Sequence, residues 1–111
     1  MRLLLCCLSL IVVFAIVGGS GDTRCRSDAD AYSAAEQLVS KNLVSPGSAQ
    51  FASITDPSTK ITTIRDCYFR VVSFVDSQNR AGGLMRTYYS IDFEYVKSSA
   101  RWTQRDLSFK R

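Results

Sequence analysis

The sequence predicts an α+β fold: one N-terminal helix packed on a three- to four-stranded antiparallel β-meander, closed by one disulfide. Three observations predict it. Apolar residues recur at helical spacing from Ala31 to Leu43. From Ile61 onward the period changes to two. Two cysteines, Cys25 and Cys67, remain once an apolar N-terminal segment is set aside.

That segment comes first. The chain of 111 residues is long enough for one domain. It opens "MRLLLCCLSLIVVFAIVGGSG": one basic residue, Arg2, a nearly unbroken apolar run from Leu3 to Val17, then small residues to Gly21. This is the order of a secretory signal. As a helix the apolar run spans roughly 22 Å, short of the ~30 Å hydrocarbon core of a bilayer. Residues 1–21 are therefore read as a cleaved signal and 22–111 as the domain. A retained membrane anchor over residues 3–19 is the alternative. Cys6 and Cys7 leave with a cleaved signal. The remaining pair, Cys25 and Cys67, is even in number and exported, so it reads as a bridge. Two thiols in a chain with no histidine make a poor zinc site.

The helix lies in "TRCRSDADAYSAAEQLVSKNL". Ser27 is its N-cap, with Asp30 three residues on as a weak capping-box partner and Asp28 also favouring the positive helix start. Ala31, Tyr32, Ala35, Leu38, Val39 and Leu43 form the core face. Ser45 precedes Pro46, so the helix ends before it, and a short turn of helix over Pro46 to Gln50 returns Phe51 to the core.

"CYFRVVSFVD" alternates Cys67, Phe69, Val71, Ser73 and Val75 against Tyr68, Arg70, Val72 and Phe74. Apolar residues on both faces predict a central strand. "RTYYSIDFEYVK" alternates more cleanly: Thr87, Tyr89, Ile91, Phe93 and Tyr95 inward, Tyr88, Ser90, Asp92 and Glu94 outward. In "RWTQRDLSF" Trp102 is at even parity, Leu107 and Phe109 at odd. For all to face one core, a bulge must lie near Gln104 to Asp106. A short extra strand near Ile54 or Ile61 completes the reading.

Two motifs, "KNLVSPGSAQF" and "VVSFVDSQNRAGGLMRTYYSIDFEY", with a late Trp102, resemble a family of small exported bacterial and phage-type proteins. Those carry a Lys-Leu-x-Ser-Pro-Ser-x-Ala-x-Phe stretch and a Val-Asp-x-Gln-Asn-x-Phe-Gly-x-x-x-Arg hairpin. The resemblance covers Ala29 to Phe109 and implies export and this fold. It marks Asp76, Gln78, Asn79, Gly82 and Arg86 as family-like positions. This chain departs from the pattern at Ala81, where the family commonly has an aromatic, and at Gly83.

The absence of histidine removes Ser-His and Cys-His nucleophile systems. Asp92 and Glu94 stand about 7 Å apart on one strand face, near the spacing of glycosidase carboxylates, but a solvated outer face is the better account of them. No phosphate loop, calcium loop or cofactor motif is present. No catalytic residue, metal ligand or cofactor is assigned. The mildly basic balance, a net +4, does not call for nucleic acid, and membrane contact is expected only through the N-terminal segment.

What remains is a non-enzymatic exported protein, periplasmic or extracellular, binding an envelope protein or an anionic polymer. The alternative is an inhibitor or immunity-type protein acting on an envelope-directed hydrolase. In the stretch Asp76 to Gly83, Asp76, Asn79, Gly82 and Gly83 are assigned to the turn itself. Gln78, Arg80, Arg86 and Tyr88 are the candidate contact residues, with Arg86 able instead to pair with Asp76 or Asp92.

Overall fold

The computed structural model describes Cys25 and residues 27–110. The segment read as a signal, residues 1–21, lies outside the described residues. In chain order the elements are α1 (Asp28–Ser40), a 3-10 turn (Pro46–Ser48), β1 (Gln50–Phe51), β2 (Lys60–Arg65), β3 (Tyr68–Gln78), β4 (Leu84–Val96) and β5 (Arg101–Lys110). The sheet has five antiparallel strands where three to four were expected. The order is β1-β3-β4-β5, and β2 also pairs with β3. β1 lies beside Val75 and Asp76, and β2 lies beside Tyr68 to Val72. The two are successive pieces along one edge of β3. Neither carries a readable period: β1 has 2 residues, and in β2 every residue but Ile61 is exposed.

Helix α1 begins where the sequence chemistry places it. Ser27 has extended backbone, and its Oγ accepts from the Asp30 amide at 3.1 Å. Ala31, Tyr32, Ala34, Ala35, Leu38 and Val39 are buried against the sheet. The three alanines carry no bulk, so the helix can sit close to the large side chains beneath it. These are Phe69, Val71 and Val75 from β3 and Tyr89, Ile91, Phe93 and Tyr95 from β4. Trp102 closes this end, its ring 6.0 Å from Phe69, 5.4 Å from Phe93 and 5.2 Å from Tyr95.

The bulge expected in β5 is present. Pairing passes from Asp92 opposite Asp106 to Phe93 opposite Gln104, which leaves Arg105 as the extra residue. It restores parity, so Trp102 and Leu107 both pack on the core. Phe109 shares that parity, opposite Tyr89, but is 40% exposed.

The Cys25–Cys67 disulfide ties the residue ahead of α1 to the β2–β3 reversal. Cys67 adopts φ 59° in that reversal, and its carbonyl accepts from the Tyr95 amide at 2.8 Å.

Element lengths explain where the fold is incomplete. α1, with 13 residues, spans roughly 20 Å, whereas β4, also 13 residues, spans roughly 44 Å. The β3–β4 hairpin therefore runs beyond the C-terminal end of the helix. The chain from Lys41 to Ala49 returns across that overhang.

Candidate functional site

The hairpin reversal is built by Asn79. Its amide donates to the Gly83 carbonyl at 2.9 Å, and its carbonyl accepts from Gly82 at 3.0 Å. Its Oδ1 accepts from both Ala81 and Gly83 amides at 3.0 Å. Gly82 has φ +87°, a conformation that any side chain would strain. Gly83 does not share it: among the described glycines only Gly82 has positive φ. Asp76, assigned to the turn by the sequence reading, stands earlier, on β3. The ladder runs on to Gln78 opposite Leu84, so the reversal starts after Asp76.

Asp76 serves the outer face of the sheet instead. It lies directly opposite Arg86, whose Nε and Nη2 donate to its two carboxylate oxygens at 2.8 and 2.9 Å. The same guanidinium sits 3.8 Å above the Phe74 ring. Phe74 is 8% exposed although it faces away from the helix. Arg86 is thus a cover for Phe74 as well as an ion-pair partner. Tyr88, 45% exposed, meets Phe74 edge-on at 5.8 Å. The pattern repeats down the sheet. Arg70 clasps Asp92 with bonds of 2.7 and 2.9 Å, and Arg105 clasps Glu94. Hydrogen bonding to these guanidiniums holds Asp76 and Asp92 below the usual carboxylate range. Asp92 and Glu94, the one spacing that suggested paired-carboxylate chemistry, are each engaged by a separate arginine.

The concave feature lies on the other face, under the overhang. A cavity of about 400 Å³ opens between the hairpin end, the chain after α1 and the end of β5. Leu43, Val44, Ala81, Met85 and Phe109 supply its apolar wall. Ser77 and Thr87 line it too; they are 8% and 6% exposed and continue the inward rows of β3 and β4. Asn42 holds the helix end in place. Its side-chain amide donates to Leu38 O at 2.9 Å and to Gln104 Oε1 at 3.2 Å. Ser48 Oγ accepts from the Gln78 amide at 2.9 Å and fixes the 3-10 turn to the hairpin.

Of the four contact candidates, Gln78 and Arg80 therefore border this cavity, and Arg86 and Tyr88 belong to the outer face. Among the described residues no group of His, Cys, Asp and Glu side chains could hold a metal ion. Likewise, no described helix is long and apolar enough to cross a membrane. Sequence reasoning missed Ser77, Thr87 and Met85 as site residues. The available signal was polar residues at core-facing parity close to a turn. No protein-family model, curated protein or solved structure matches the chain.

Proposed function

We propose that the chain is a small exported, non-enzymatic binding or accessory protein of the cell envelope, and that the hairpin-end cavity is its contact site. The carrying observation is the 400 Å³ concavity bordered by Gln78 and Arg80, which falls within the size range of ligand-binding clefts. The Cys25–Cys67 bridge is compatible with an oxidising compartment. The resemblance to small exported bacterial and phage-type proteins belongs to the same proposal. A protein or peptide partner is favoured over an anionic polymer. A polymer would be held chiefly by outer-face cations, and Arg70, Arg86 and Arg105 there already have carboxylate partners.

Capture from an envelope extract tests the site. The parent domain is expected to retain a partner that a Gln78→Ala, Arg80→Ala variant loses. Identical partners on both would sink the assignment. A second reading is an inhibitor or immunity-type protein that presents the 79–83 loop to a foreign active site. The loop's favouring feature is its closed set of internal hydrogen bonds. Inhibition of a panel of muramidases by the purified domain decides that reading, and no inhibition removes it.

A further inference from the structure

We infer that the hairpin-end cavity takes the free C-terminal carboxylate of a peptide whose last residues are apolar. This rests on the cavity being the contact site and specifies what would enter it.

Charge comes first. The cavity lining contains one charged side chain, Arg80, and no carboxylate. Among the described residues Arg70, Arg86 and Arg105 are each paired with a carboxylate, and Arg65 lies 4.3 Å over the Tyr68 ring. Arg80 has no such partner among the described residues, so its fork of donors is left for an outside acceptor. Lys41, exposed, adjoins the lining residue Asn42 in the chain and adds positive charge on this side of the fold. The negative pole of α1 also ends nearby and would repel an anion. It is blunted here: the carbonyls of Leu38, Val39 and Ser40 accept from Asn42 Nδ2, the Asn42 amide and the Leu43 amide.

The lining then selects a peptide over an alkyl chain. Leu43, Val44, Met85 and Phe109 offer an apolar wall for side chains. Ser77 and Thr87, both nearly buried residues, add hydroxyl-bearing side chains to the same lining. An alkyl tail would leave those groups without partners, at a cost of order 1–3 kcal/mol each. A peptide backbone brings amides and carbonyls that can satisfy them.

Amide-resolved NMR titration of the disulfide-bonded domain provides the test. The probes are an N-acetylated tetrapeptide ending in Leu as the free acid, the same peptide as the C-terminal amide, and decanoate. The free acid is expected to shift the Ser77, Gln78, Arg80 and Thr87 amides, to bind at least ~10-fold more tightly than the amide form, and to weaken with added salt. Arg80→Gln should erase the acid–amide difference while resonances of the α1 core stay in place, and Arg80→Lys should keep part of it. Equal binding of acid and amide at these residues overturns the carboxylate inference and leaves the contact site standing. Binding of decanoate without the peptide overturns the peptide assignment. Shifts confined to Val72, Tyr88 and their neighbours overturn the contact site and the inference together.

Discussion

Two buried tyrosines should respond to the same substitution with opposite signs. Tyr32 and Tyr89 are 5% and 2% exposed, and both lie between α1 and the sheet. The Tyr32 hydroxyl donates to the Ala52 carbonyl and lies 3.3 Å from Ser73 Oγ, which itself bonds Thr59 Oγ1 at 2.7 Å. The Tyr89 hydroxyl is buried beside Tyr32 and Ser73 yet makes no hydrogen bond of acceptable geometry. Burial pushes its ionisation well above the ordinary tyrosine value. Tyr32→Phe strips a partner from a buried carbonyl and should cost about 1–3 kcal/mol. Tyr89→Phe removes an unsatisfied hydroxyl and leaves a void of one oxygen, so it should stabilise by up to about 1 kcal/mol. For a domain of this size each kcal/mol moves the melting midpoint by roughly 4–8 °C. Urea unfolding followed by far-UV circular dichroism should place the two variants on opposite sides of the parent, with equal slopes. If both are destabilised to a similar degree, Tyr89 has a partner and this account of the core is wrong.

Removing the bridge with Cys25→Ser and Cys67→Ser opens a loop with a sequence separation of 42. In the chain-entropy model this costs roughly 4 kcal/mol, a large part of a small domain's stability, and a loss of unfolding free energy under about 1 kcal/mol in urea would contradict it. Acid titration of stability should show the ion pairs of the outer face. Asp76 and Asp92 are lowered on folding, so their contribution is present above about pH 4, the unfolded carboxylate value, and is lost as pH falls through their folded values. Glu36 is raised by burial, so its contribution has the other sign: present below its unfolded value and lost as pH rises through the folded one. Unfolding midpoints from pH 7 to 2 should therefore fall most steeply below pH 4. They should fall less steeply in Asp92→Asn, and Glu36→Gln should stabilise at pH 7 but not at pH 3. Parallel curves for all three proteins would remove this linkage.

Much of the fold was legible because it rests on local rules. Ser27 and the two aspartates after it announce the helix start, and the inward row from Thr87 to Tyr95 on β4 follows a strict period of two. The parity mismatch between Trp102 and Leu107 located the bulge that the structure centres on Arg105. The extra strands were not legible in detail. Their pairing with β3 is a tertiary matter, and the exposed side chains of β2 give no alternation to read. The turn was misjudged at Asp76 because Asp is a turn residue by propensity, whereas a cross-strand arginine ten residues later claims it. The cavity arises from a short helix over long strands. That mismatch could be estimated from the sequence, but which side chains face it depends on register. For Arg86 the sequence offered Asp76 or Asp92 as a partner; the register of β3 on β4 selects Asp76 and sets Phe74 beneath the guanidinium.

Site-specific photo-crosslinking in the intact envelope tests the central claim most directly. A photoreactive residue in place of Val44, 57% exposed at the cavity wall, is compared with one in place of Val72, 36% exposed on the outer face. The account predicts a discrete adduct from position 44 that disappears in the Arg80→Gln background, and none from position 72. An adduct from position 72 with none from position 44 would contradict it.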